Sequence, residues 1–399
     1  MNIALICAGS TPIPATMGGA TETMMTHMLE VNEERQEHHF HILGYYEEKA
    51  VTFSRNFKCS SFYCYSPNPK IEFLEGGFWR FLRKVTSERV YLRSRYIRWC
   101  ADIINQSDFD VIVIEGNCFQ IEYLRVLIGN RKIILHMHID RLNRGLKAAG
   151  RMIKASDGLL AISQFCKNRM IEVDNCCHEK TIVVKNTIDT EKFTFKGEDV
   201  RAEIRKKLGI CPNQKVVSYC GRINKSKGVL ELIRAIKQLN DPLIHVLVMG
   251  SSVYFGSEKN KYIDLVEQEA KGITGGVTFT GYIPQADLPK YLTAVDIASV
   301  PSICFEAAGN VIIEALSCGI PVVASSQGGI PEYADLCACR LVDYNEYFVE
   351  NLAIQIHELA YNNNLYTNLK RNARNVALQY DKCNYYVNYC NAIKQIIEL

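Results

Sequence analysis

The chain has 399 residues, 48% of them hydrophobic and 22% charged, which is enough apolar material for two folded cores and excludes a disordered chain. Its formal net charge of +3 excludes bulk charge as a basis for nucleic-acid binding; any basic surface must be local. The 16 cysteines show no Cys-x-x-Cys spacing, and many sit in apolar runs, so they read as buried, reduced thiols and not as a disulfide or metal framework.

Short β-rich runs fall at residues 3–7, 40–44, 111–114, 133–136, 159–162 and 182–184, and again at 216–220, 246–249, 277–279, 297–300 and 322–324. Helix-patterned segments separate them, the alternation expected of βαβ units and parallel sheets. Two such series predict two doubly wound α/β domains. The break is expected near Asn186–Asp199, where a strand ends in Asn186-Thr-Ile-Asp189 and the polar run Lys196-Gly-Glu-Asp199 follows, giving a first domain at residues 1–194 and a second at 195–380. Residues 381–399, rich in Tyr and Ile, read as a helix packing back at the interdomain junction. The first residues enter an apolar run with no basic stretch before it, and no apolar run reaches the ~20 residues of a membrane span, so a cytoplasmic protein is expected.

Residues 78–99 concentrate basic and aromatic side chains, including Trp79, Arg80, Arg83 and Lys84. Cations attract anionic headgroups and aromatic rings settle at the interface, so this stretch is expected to touch an anionic membrane surface peripherally. The alternative is a partly buried helix whose arginines reach solvent. Asp108-Phe-Asp110 has the form of a metal-binding Asp-x-Asp pair, but it precedes a strand, the wrong edge of an α/β sheet for a ligand.

The loop after the strand at 216–220 reads Gly221-Arg-Ile-Asn-Lys-Ser-Lys-Gly228 and leads into an apolar-periodic helix. Arg222 offers a planar fork of donors and Lys227 a mobile ammonium, a pair suited to a diphosphate. The loop is neither a Walker loop nor a dinucleotide fingerprint. After the strand at 297–300, Glu306 and Glu314 are separated by seven residues, a little over two helical turns. Glu306, Ala308, Gly309, Asn310 and Val311 lie about a helix N-terminus, where free N–H groups favour phosphate or sugar oxygens. Glu314 lies a turn inside and suits a ribose diol.

Taken together, the chain resembles the family 4 retaining glycosyltransferases of GT-B fold, of the bacterial surface-polysaccharide type. The resemblance runs through Gly18-Gly19-Ala20, Asp157-Gly-Leu-Leu-Ala-Ile-Ser163, Lys185-Asn-Thr-Ile-Asp189, Gly221-Arg222, Lys227-Gly228, Val277-Thr-Phe-Thr-Gly281, the Glu306/Glu314 segment and Pro321-Val-Val-Ala-Ser-Ser-Gln-Gly328-Gly329-Ile-Pro331-Glu332. It implies two Rossmann-like domains facing across a cleft. It implies that Arg222 and Lys227 hold the donor diphosphate, Glu306 the donor sugar and Glu314 the ribose, with Gly281, Tyr282 and Ile283 beside the base. Gly18 and Gly19 approach the phosphates, and a histidine after an N-domain strand faces the donor sugar. In Ile133-Ile-Leu-His136-Met-His138-Ile-Asp140 that histidine is preferentially His138, with His136 the other candidate.

The implied activity is hexosyl transfer with retention from a nucleotide-diphosphate sugar, of which UDP-sugar is the commonest in the family, to a glycan or lipid-linked acceptor in surface polysaccharide or lipopolysaccharide synthesis. No metal or other cofactor is expected. The other readings are an epimerase or phosphorylase on the same plan, and a silent nucleotide-binding subunit of an assembly complex.

Overall fold

The computed structural model describes residues 1–7, 9, 11–68, 70–71, 73–74, 78, 94–251 and 261–398. They form two compact units, Met1–Lys185 with Lys382–Leu399, and Asn186–Asp381.

The first unit is built on seven parallel strands: β1 (Asn2–Ile6), β2 (His39–Tyr45), β3 (Ser60–Tyr65), β4 (Val111–Glu115), β5 (Ile133–Met137), β6 (Gly158–Ala161) and β7 (Thr181–Val183). Their order is β3-β2-β1-β4-β5-β6-β7, so the winding reverses between β1 and β4. β1, β4 and β5 are wholly apolar over three or more successive buried residues, the signature of strands covered on both faces. The edge strand β3, Ser-Ser-Phe-Tyr-Cys-Tyr, is mostly half-exposed and lacks an aliphatic run, which is why hydrophobic patterning alone passes over it.

The C-terminal helix Lys382–Glu398 completes this unit. Tyr386, Tyr389, Ile393 and Ile396 enter the core shared with Ile3, Leu5 and Met25, and the Tyr386 hydroxyl donates to Asn32 Oδ1 at 2.8 Å. Each such fully buried aliphatic side chain contributes about 1.5–3 kcal/mol.

The second unit carries β8 (Lys215–Cys220), β9 (Ile244–Met249), β10 (Val277–Gly281), β11 (Ile297–Val300), β12 (Val322–Ser325) and β13 (Cys339–Val342) in the order β10-β9-β8-β11-β12-β13, all parallel. The short edge strand β13 was not anticipated; its four residues include Arg340 and give no apolar pattern. At the amino ends of β8 and β11 the Asp296 carboxylate accepts from Arg201 and Arg205, each at 2.6 Å, and from the Val216 N–H at 2.7 Å. That fixes β11 against β8 from below and leaves their carboxyl ends to present loops.

The division between units falls at Asn186, the first residue of the stretch expected to hold the break and before the 194/195 bound drawn within it. The reason is pairing: Ile188 N–H donates to Tyr380 O at 2.9 Å, Thr190 Oγ1 donates to Asp381 Oδ2 at 2.6 Å, and Phe193 is buried with Ile312 and Leu316. No helix among the described residues is long and apolar enough to cross a membrane.

Candidate functional site

In an open parallel sheet, ligands sit beyond the carboxyl ends of the strands where the winding reverses. In the second unit that point lies between β8 and β11, and both singled-out motifs are there. After Cys220 the loop crosses Gly221 and an exposed Arg222, whose carbonyl accepts from the Tyr219 hydroxyl at 2.6 Å. The buried Ile223 anchors the loop, its N–H donating to Ser251 O at 2.9 Å. A short 3-10 turn, Lys225–Lys227, then leads into the helix Val229–Leu239.

Gly228 has φ +70°, and a Cβ there would lie 1.8 Å from the Pro301 carbonyl oxygen. The loop after β8 thus packs backbone to backbone against the loop after β11, an approach only glycine permits. Ile303 N–H closes the contact by donating to Ser226 O at 3.0 Å.

This packing brings Lys227 to Glu306. Lys227 Nζ donates to Glu306 Oε1 at 2.6 Å, with side chains 28% and 18% exposed, and Ser302 Oγ donates to the same oxygen at 2.8 Å. Glu306 is itself positioned by an isolated parallel bridge to Gly328, and its carbonyl accepts from Gly329 N–H at 2.7 Å. Gly328, at φ +63°, leaves room for that carbonyl, which a Cβ would approach to 2.4 Å. Ala308 is half-buried, and Gly309 precedes the helix Asn310–Ser317 with no side chain capping its first turn. Asn310 Oδ1 accepts from Asn186 Nδ2 at 2.6 Å, and Val311 follows half-buried in the first turn.

Glu314 is half-buried on that helix, and burial pushes its carboxyl up to about 7. Its charge in turn raises the thiols of Cys220, at the end of β8, and Cys318; burial is the larger cause for both. Gly281, Tyr282 and Ile283 follow β10. Tyr282 and Ile283 line a cavity of about 150 Å³ with Arg222, Met249, Gly250 and Leu288, a mostly apolar slot beside the phosphate-type loop.

In the first unit, Gly18 and Gly19 follow β1 and both have positive φ, +78° and +105°, Gly19 standing immediately before the helix Ala20–Arg35. His136 is the fourth residue of β5 and is fully buried; His138 follows the strand, with its side chain 7% exposed. Both meet Glu115, the last residue of β4: His138 Nε2 lies 2.8 Å and His136 Nδ1 2.9 Å from Glu115 Oε2. These three donors are of the two-histidine, one-carboxylate kind that suits a divalent transition metal.

Sequence reasoning missed Ser302, Asn186, Glu115 and Tyr389, whose hydroxyl donates to Glu115 Oε1 at 2.7 Å. Glu115 carried a signal, a lone acid ending an apolar strand at a reversal of winding. Tyr389 carried none.

Trp79, Arg80, Arg83 and Lys84 lie outside the described residues. The end of their stretch is a packed helix, Arg95–Asn105, with Tyr96 and Cys100 buried and Trp99 against Tyr65 at 5.4 Å between ring centroids. Asp110 is structural: its carboxylate accepts from Asn2 N–H at 2.7 Å at the amino end of the sheet.

Two Rossmann-like units of parallel sheet, with loops of this make-up at the carboxyl ends of β8 and β11, define the GT-B class of fold. HepE of Anabaena, solved in complex with UDP, superimposes with a TM-score of 0.76 at 20% identity, covering 99% of this chain and 100% of that one. Residues 200–376, which lie within the second unit, match the family described as glycosyl transferases group 1. The putative glycosyltransferase YtcC of Bacillus subtilis (strain 168) is 24% identical over 339 residues, 82% of this chain and 76% of its own length. The D-inositol 3-phosphate glycosyltransferase of Mycobacterium sp. (strain KMS) is 32% identical over 188 residues, 47% of this chain; the match spans only 41% of that enzyme.

Proposed function

We propose that the chain transfers a hexosyl group, with retention and without a metal, from a nucleoside-diphosphate sugar to a glycan or lipid-linked acceptor. The observation that carries this is the Lys227–Glu306 contact at the reversal point of the second sheet, beside the Arg222 cavity. An ammonium has three N–H donors, so Lys227 can hold Glu306 and still donate to a phosphate. Arg222 supplies the second charge for the diphosphate, Tyr282 and Ile283 the apolar wall for a base, and Glu314 an acceptor for ribose hydroxyls. Glu306 and the uncapped helix start near Gly309 face the sugar. UDP is the preferred nucleotide: HepE was solved with UDP and with UDP-glucose.

In the reaction, the bond from the anomeric carbon to the diphosphate oxygen breaks and a bond to the acceptor oxygen forms on the same face. The acceptor's proton passes to the departing phosphate, so no protein nucleophile is required. Two fixed cations stabilise the charge that grows on that phosphate, the kind of preorganised electrostatics that dominates phosphate-leaving reactions. The Gly18-Gly19 loop, bare of side chains, and His138 are the first unit's contributions to substrate contact. A cytoplasmic site of action at the inner membrane face, in surface-polysaccharide or lipopolysaccharide assembly, fits a lipid-linked acceptor.

The test is a thermal-shift screen of nucleoside diphosphates and their sugars, followed by turnover with labelled donor and lipid acceptor. A ligand bound only by the native state raises apparent stability by RT ln(1 + [L]/Kd), about 2.7 kcal/mol at a hundredfold excess over Kd. UDP-sugars are expected to stabilise the chain and to turn over only with acceptor present. Stabilisation by UDP-sugar with no turnover in any acceptor mixture would reduce the protein to a binding subunit.

A further inference from the structure

At the carboxyl ends of β4 and β5, side chains from three separate stretches of the first unit form one buried cluster. Glu115 is 0% exposed, and a carboxylate is kept in such a place only when donors surround it. The Tyr389 hydroxyl donates to Oε1 at 2.7 Å, while His138 Nε2 and His136 Nδ1 lie 2.8 and 2.9 Å from Oε2.

A carboxylate anion accepts and never donates, so the His138 nitrogen 2.8 Å from it carries the proton. The other ring nitrogen, Nδ1, is then an unprotonated acceptor. It is buried and has no hydrogen-bond partner among the described residues. A buried acceptor left unpaired calls for an explanation, and an ordered water, an ion or a bound ligand supplies one; the ring nitrogens of His136 are in the same position.

We propose that Glu115, clamped by Tyr389, is a positioning residue that fixes His138 in its Nε2–H tautomer and so presents Nδ1 as the acceptor for a substrate hydroxyl. This rests on the reading of His138 as a sugar contact. It also gives the C-terminal helix a second task. Tyr389 reaches the first sheet only because the chain returns, after the whole second unit, to pack on β1 and β4.

The experiment is long-range proton–nitrogen NMR on the full chain labelled with 15N-histidine, with His138 identified by loss of its signals in His138→Gln. The wild type is expected to show a neutral His138 protonated on Nε2. Glu115→Gln, which offers an amide donor in place of the anion, is expected to shift the ring to the Nδ1–H form, and Tyr389→Phe to give a mixture. His136→Gln is expected to leave the Nε2–H tautomer in place. A wild-type ring protonated on Nδ1, or a tautomer unchanged in both Glu115→Gln and Tyr389→Phe, overturns the proposal. Tyr389→Phe keeps the test decisive should Glu115→Gln not fold.

The kinetic counterpart is a cycle. Glu115→Gln is expected to lower kcat about tenfold, the cost of one neutral hydrogen bond, and to cause no further loss in a His138→Gln background. Equal losses in both backgrounds would mean that Glu115 does not act through His138. Because the tautomer is read without turnover, an inactive protein with an Nε2–H His138 would sink the transferase reading alone.

Discussion

Lys227 and Glu306 stand 2.6 Å apart although they belong to loops after different strands, and the oxygen that Lys227 touches also accepts from Ser302. The pair is the smallest unit of the proposed donor site, since one partner is suited to phosphate and the other to sugar hydroxyls. Lys227→Met and Glu306→Gln are each expected to reduce kcat/KM at least a hundredfold. The pair is only partly exposed, so substituting either partner leaves a semi-buried charge short of a hydrogen bond worth about 1.5–3 kcal/mol net. A double-mutant cycle on urea stability should return a coupling of about 1 kcal/mol. Coupling within error of zero, with activity intact in both single variants, would falsify the pair's role.

Gly228 is where the two loops meet. Gly228→Ala is expected to destabilise the chain by about 2 kcal/mol or more, since it adds a left-handed strain of roughly 1–3 kcal/mol to a clash with the Pro301 carbonyl. Lys227 would move with the loop, so nucleotide affinity should fall as well. Gly209→Ala, at the same φ of +70° in a left-handed helix end and with open space around its Cβ position, is the control for strain alone. Equal melting temperatures for the two variants would remove the loop contact from the account.

Glu314 predicts a pH dependence. In the folded chain its carboxyl titrates at about 7, against about 4.3 when unfolded. Below the lower value both states are protonated and folding carries no penalty. Between the two, the unfolded chain loses its proton first, so stability falls as pH rises and levels off above the folded value. The loss is up to about 3.7 kcal/mol. Glu314→Gln is expected to abolish this slope. Ribose hydroxyls donating to the carboxylate would favour its charged form, so nucleotide binding near pH 6 should release a proton, measurable by calorimetry in buffers of different ionisation heat. No proton release would remove Glu314 from the nucleotide site.

Metal independence is tested by chelation. Turnover is expected to continue unchanged after dialysis against EDTA. Loss restored by Mg²⁺ or Mn²⁺ would refute it. Loss restored by Zn²⁺, and absent from Glu115→Gln, would place an ion at Glu115, His136 and His138.

The basic aromatic stretch predicts binding to anionic vesicles at low salt, lost when Arg80, Arg83 and Lys84 are replaced together by glutamine. Each cation near such a surface contributes about 1 kcal/mol, so three account for roughly a hundredfold in affinity. Sedimentation with phosphatidylserine vesicles decides it; wild-type protein left in the supernatant would remove membrane contact from the proposed function.

The sequence by itself determined both parallel sheets, nine of whose inner strands are apolar runs that burial on two faces demands, and it located the cations and carboxylates in the loops that follow them. Those signals are local: a strand's hydrophobicity and the residues directly after it lie within one short window. The edge strands β3 and β13 lay beyond that reach, because an edge is buried less and its pattern fades. Only the tertiary structure decided that residues from Asn186 onward belong with Tyr380 and Asp381, that Ser302 shares an oxygen with Lys227, and that Glu115 meets His138 under Tyr389. Hydrogen bonds between distant segments depend on which strand lies beside which and on where the last helix docks. Each is settled by the packing of whole cores, and none by the composition of any one segment.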